Sequence, residues 1–306
     1  MKYNWKKVPS VPHFINILKK RIEFDNEELS NMFFGSLEDF FYYGTLLGYI
    51  KDNNFKNILV RLTKIKKVGN FTNELNDRKS ISMSDNSGIF IRKDLSRDEM
   101  QFFMLKEIIR NASSISVKNT KSIASAYLIN KGVYGEERVL EDLYLENGFR
   151  LIEDGITYDM TENIYYASKN KKRPIRTNKS EKKVFGNMKF LSNFRYHPSF
   201  QELTTIVGRR ILRNNSLLSD DDVLANLGRV SLNENFSVNL FLSLKTLYRD
   251  NVYDILGKLG IIYKKETDAY KENLIKNRYL MVIHARKAYK GIMNNSTQER
   301  IISKAS

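Results

Sequence analysis

The stretch Asp94–Ser113, DLSRDEMQFFMLKEIIRNAS, decides how the rest of the chain is read. Ser96 followed three residues later by Glu99 is a capping-box pattern, and Leu95 and Met100 stand where a hydrophobic staple places them. Beyond this start Phe102, Phe103, Met104, Leu105, Ile108, Ile109 and Ala112 cover most of a helical circumference, so burial on several sides is expected. Lys106, Glu107 and Arg110 interrupt the apolar surface. Lys106 and Arg110 are four residues apart, which puts both cations on one helix face, about 5–6 Å from each other. An isolated buried charge costs several kcal/mol, on the order of a domain's whole margin of stability. These three residues must therefore be paired or line a cleft, and something anionic must face the two cations.

Upstream, Phe14, Ile15, Leu18 and Ile22 recur at helical spacing after Pro9 and Pro12. The acidic run Asp25–Glu28 leads into a second helix, dense in Phe and Tyr, that reads as core. From Lys56 the segment NILVRLTKIKKV reads as β-branched alternation, Gly69-Asn70 as a turn, and KSISMSD and GIFIRKD as two further short strands around Asn86 and Gly88. Together they predict a small, antiparallel-rich sheet packed on helices, an α+β fold that is mainly helical.

Downstream come a polar stretch, an apolar run over 123–129, a turn at Lys131-Gly132 and a helix from Glu136 to Leu145. A separate helix then starts near the acids Glu153 and Asp154, where the macrodipole favours negative charge. Lys169–Lys183 holds eight Lys or Arg and reads as a basic surface loop, with Lys171, Lys172, Arg173 and Arg176 as its candidate anion-binding residues. The remainder is helical: a capping box at Ser199 and Glu202, helices near Asp220–Asn226, Phe236–Leu247 and Val252–Leu259, and a final one over 267–293. The expected organisation is N-terminal helices (1–54), a core (55–168), the basic loop (169–185) and a helical C-terminal part (186–306).

The chain has 306 residues, 42% hydrophobic, enough for a real core. Lys+Arg 51 against Asp+Glu 35 gives +16, a balance that attracts nucleic acid, anionic lipid or acidic protein surfaces. Lys, Asn and Ile are also the residues that AT-rich bacterial coding enriches, so the charge alone does not favour a nucleic-acid partner. Cysteine is absent, which removes disulfides, thiolate zinc sites and cysteine nucleophiles. The N-terminus has no apolar h-region and no run approaches a membrane span, so a cytoplasmic chain without transmembrane segments is expected; export without a signal peptide stays open.

Lys106-Glu107-Ile108-Ile109-Arg110, with Asp154-Gly155-Ile156-Thr157 further on, resembles the zinc site of gluzincin-type metallopeptidases with its ligands replaced. In that family a small sheet with an edge strand precedes a helix bearing HExxH, and a later helix with an EGxT-like turn brings the third ligand. The resemblance covers residues 55–168. It places Glu107 at the general-base position and Asp154, or alternatively Glu153, at the third-ligand position. Both histidine positions are basic. A protonated lysine and an arginine have no lone pair for a metal, so the resemblance implies no zinc, no other cofactor and no metal-activated water.

What it implies instead is a pseudoenzyme that acts by binding an unidentified protein or peptide, with Lys106, Glu107, Arg110 and Asp154 (or Glu153) forming a salt-bridge cluster where zinc would sit. The alternatives are a basic protein that binds nucleic acid or another anionic surface, and a hydrolase with an unrecognised site. Ser113 and Ser114 follow the pentad without a histidine near in sequence, and His13, His197 and His284 show no ligand spacing.

Overall fold

The computed structural model describes residues 10–51, 54–71, 82–84, 88–113, 135–170, 220–232 and 252–271, with single positions at 204, 240, 242, 244 and 245. Its elements in chain order are α1 (Ser10–Arg21), β1 (Glu23–Phe24), α2 (Glu27–Leu46), α3 (Phe55–Leu62), β2 (Lys67–Phe71), β3 (Ser82–Ser84), β4 (Gly88–Arg92) and α4 (Arg97–Ala112). Then follow α5 (Gly135–Ser168), α6 (Asp220–Ser231) and α7 (Val252–Lys271). The fold is α+β and mainly helical, and no helix among the described residues is long and apolar enough to cross a membrane.

The sheet differs from the expected antiparallel one. Its order is β1-β2-β4-β3, with β1, β2 and β4 parallel and only the edge strand β3 antiparallel. Two misread segments account for this. Residues 55–62 form a helix: Phe55, Ile58, Leu59 and Leu62, spaced i, i+3, i+4, i+7, are buried, whereas Lys56 and Val60 are exposed. With α2 and α3 between them, β1 and β2 are joined by a crossover and so run in the same direction. Gly69 and Asn70 are not a turn but strand residues, paired with Phe90 and Ile91. The glycine is there for close approach, because a Cβ at 69 would come 2.6 Å from Asp25 Oδ2. That carboxylate accepts the Asn70 N–H at 2.9 Å and faces Lys67 Nζ at 3.0 Å. The Asn70 bond, opposed by partial desolvation and helped by Lys67, lowers the Asp25 pKa.

The chain divides into two compact units. The first comprises Met1–Ser114, Thr157–Ile175 and Ala225–Phe236, and α4 is at its centre, packed against α2, α3, β3 and β4. Asn26 caps α2 by accepting the Leu29 N–H at 2.9 Å, and Ser96 N donates to Glu99 Oε2 at 2.6 Å in the capping box expected for α4. Arg61 of α3 donates from one guanidinium nitrogen to the carbonyls of Ala112 (2.7 Å) and Leu232 (3.0 Å). It thereby satisfies acceptors left over where α4 and α6 end.

The second unit comprises Ile115–Ile156, Arg176–Leu224 and Ser237–Ser306. Here α5 and α7 meet at Gly148, whose missing side chain admits the backbone of Leu256. No helix starts at Glu153 or Asp154: α5 is continuous from Gly135 to Ser168, and both acids lie in its interior. Leu151, Ile152, Ile156, Met160 and Ile164 are all buried along it, and that packing exceeds the roughly 1 kcal/mol that each of Gly148 and Gly155 costs a helix. Similarly, α7 runs on through Thr267 to Lys271, where a break had been expected after Leu259. The expected features at 123–132, 171–183 and 199–202, and the final helix beyond Lys271, lie outside the described residues.

Candidate functional site

Glu107 is the most deeply placed ionisable group of α4, with no exposure at all, and Lys106 is 6% exposed. Lys106 Nζ lies 2.8 Å from Glu107 Oε1. The third member of the cluster is Ser82 on the edge strand β3: its hydroxyl donates to Glu107 Oε1 at 2.6 Å and accepts from Lys106 Nζ at 3.1 Å. Arg110 approaches the other carboxylate oxygen, Oε2, at 3.7 Å, beyond hydrogen-bonding reach, and Oε2 accepts no hydrogen bond among the described residues. The Lys106 ammonium also sits over the rings of Phe103 (5.6 Å) and Tyr158 of α5 (5.3 Å), which adds cation–π attraction in a dry setting. Asn111 Nδ2 donates to the Glu107 carbonyl at 2.8 Å.

Glu107, adjacent to Lys106 and three residues before Arg110, thus faces both cations. Adjacent helical residues do not project in the same direction, and it is the β3 hydroxyl, touching both head groups, that closes the arrangement. Burial acts against ionisation of Glu107. The charges of Lys106 and Arg110 and the hydrogen bonds from Lys106 and Ser82 outweigh it, and together hold the carboxyl at about 2, below its ordinary 4.5.

The sign of the pH dependence follows. A carboxyl whose pKa is depressed by folding contributes stability that is complete above its unfolded value, near 4.5, and is lost as pH falls toward the folded value near 2. The contribution is on the order of 3 kcal/mol at neutral pH and roughly 1 at pH 3. Urea midpoints of the wild type and Glu107→Gln are therefore expected to converge as pH drops from 7 to 3. A gap that stays constant over that range would mean that Glu107 is not held ionised by its neighbours.

The cluster's chemistry is limited by the same contacts. A Ser–Lys hydrolase needs a neutral lysine as base, whereas Glu107 favours the Lys106 ammonium. The Ser82 proton points at a carboxylate too weakly basic to remove it. Nor do Lys106 and Arg110 offer a metal any lone pair. Among the described residues no group of three or more His, Asp or Glu is arranged to hold a metal ion.

Of the other expected site residues, Asp154 and Glu153 are buried on α5 in the second unit, and Asp154 accepts from Tyr263 of α7 at 3.2 Å. Ser113 ends α4, its N–H bonded to the carbonyls of Ile109 and Arg110. His13 is exposed on α1. Ser114, His197, His284 and the basic residues Lys171, Lys172, Arg173 and Arg176 lie outside the described residues.

Ser82 is the site residue that sequence reasoning missed. Its strand partner Ile91, like Ile89, is fully buried, so the register puts Ser82 on the core-facing side of β3. Compared with protein-family models, with curated proteins and with solved structures, the chain matches none.

Proposed function

We propose that this is a catalytically inactive protein on a metallopeptidase-like scaffold, working by binding a protein or peptide, with an internal ion cluster in the position of the metal. The observation that carries the reading is the wholly buried Glu107, fixed by Lys106 of its own helix and by Ser82 of the antiparallel edge strand. An edge strand that precedes the capped helix bearing Glu107 also supports the reading.

In a metallopeptidase of this layout the metal's positive charge sits beside the glutamate. Here an ammonium and a guanidinium supply it permanently, and neither can release or activate a water. The cluster then has a structural role, tying the edge strand to the helix, and function passes to the surfaces that the scaffold presents.

Restoring the ligands tests the proposal. Purified wild type is expected to carry no stoichiometric zinc by elemental analysis. The double variant Lys106→His/Arg110→His is expected to take up close to one equivalent. A folded double variant that takes up no zinc, or a wild type that carries one equivalent, would sink the reading.

A further inference from the structure

We infer that the entry end of the parallel strands is a nucleic-acid-binding surface that grips the phosphate backbone without reading bases. It shares no residue with the Glu107 cluster and stands independently of it. Two helix exits run side by side here. The chain leaves α1 directly into β1, with Ile22 N bonded to Leu18 O at 2.9 Å, and leaves α3 into β2, with Ile65 N bonded to Leu62 O at 3.2 Å. Glu23 N donates to Lys66 O at 2.9 Å, so the two exits are joined. One carries Lys19, Lys20 and Arg21, the other Lys64 and Lys66, all exposed. None of the five forms an ion pair with a described residue. The acids that follow α1 in sequence, Glu23 and Asp25, are engaged by Lys67 at 3.5 and 3.0 Å.

Cations at helix ends have an ordinary explanation, since each C-terminus carries roughly half a negative charge. Two helix ends account for about one of the five. The excess is too large for capping, and it is concentrated where two separate segments converge. An anionic membrane is the competing partner, but lipid-surface helices insert an apolar face. Among the described residues the large exposed apolar ones are Leu46, Leu47, Val60, Val230, Leu242 and Ile261, none at these two helix exits, while Leu18, Ile22 and Ile65 point inward and are buried. With neither an apolar wedge nor an exposed aromatic among the described residues of these exits, the surface offers charge, which suits a phosphate backbone.

The test uses the full chain and a labelled 20-base-pair DNA duplex. Wild type is expected to bind with affinity that falls as salt rises, and Lys20→Gln/Arg21→Gln/Lys64→Gln/Lys66→Gln to bind at least about tenfold more weakly in 50 mM salt. About three displaced counterions correspond to a slope difference of about 3 between the two in log affinity against log salt. The comparison variant Lys171→Gln/Lys172→Gln/Arg173→Gln/Arg176→Gln removes the same charge from the basic run of sequence at 169–183 and is expected to lose less than about threefold. Equal losses in the two variants would show net charge acting without a site and overturn the proposal. So would wild type that pellets with phosphatidylserine vesicles but does not bind duplex, or that binds neither. Circular dichroism of the patch variant should match wild type, since its four replaced side chains are exposed; if it unfolds, Lys20→Gln/Lys66→Gln replaces it, with a slope difference of between about 1 and 2 expected and none overturning the proposal.

Discussion

Glu107→Gln is expected to destabilise the protein by about 3–5 kcal/mol, the usual result of removing one partner from a buried ion pair. The amide keeps the shape of the carboxylate but leaves the Lys106 ammonium, 6% exposed, with no ionised partner in Glu107 2.8 Å away. Lys106→Met should cost a similar amount for the mirror reason, because Glu107 has no exposure and Arg110, at 3.7 Å from Oε2, is too far to hydrogen-bond it. The double replacement Lys106→Met/Glu107→Leu is the informative member of the set. Both charges go together, the volume is kept, and Arg110, whose side chain is 29% exposed, can turn to solvent. Its cost should fall well below the sum of the singles, with a coupling of at least about 2 kcal/mol. Urea unfolding of the four proteins at pH 7 measures this cycle. Additive effects, or single variants each costing under about 1 kcal/mol, would show that the two charges are not paired inside the fold.

The sequence pattern of α4 was legible because several local rules agree on it. Cap, staple position and apolar periodicity all indicate one buried helix, and burial then requires its charges to be paired, as they are. That Glu107 shares a cluster with Lys106 and Arg110 was legible; the contact that closes the cluster was not. Neighbours at i and i+1 on a helix are not expected to meet, and the group that lets them do so, Ser82, lies 24 residues from Lys106 on another element. Alternation in KSISMSD locates a strand but leaves open which of its faces is inward; that depends on the partner strand, where Ile89 and Ile91 define the core side.

Sheet direction was lost for a related reason. Ile58, Val60 and Leu62 alternate, yet Phe55, Ile58, Leu59 and Leu62 share a helical face, and a short apolar run satisfies both periods. Once α3 is a helix, the connection from β1 to β2 is a crossover and parallel pairing follows. The same ambiguity merged two expected helices into α5: acids at 153 and 154 resemble a helix start, but a start also needs a cap, and the apolar spacing passes through Gly148 without interruption.

Gly148→Ala is where that uninterrupted packing should show its largest single-residue effect in the second unit. In an exposed helix interior the change would be favourable, by up to about 1 kcal/mol, because alanine has the higher helix propensity. At 148 a Cβ would come closer to the Leu256 carbonyl oxygen than the 3.0 Å that real Cβ contacts respect, and its carbonyl carbon and Cα crowd the same space. These are backbone atoms of α7, so no rotamer change can relieve the overlap; α5 and α7 must separate. The expected cost is about 3 kcal/mol, the upper range for overpacking. Gly257→Ala, one residue beyond the contact, has nothing within 4 Å of the new methyl and should be neutral or stabilising. The difference between these two variants in urea midpoint isolates the packing from the propensity. Equal midpoints would mean that α5 and α7 do not approach through Gly148.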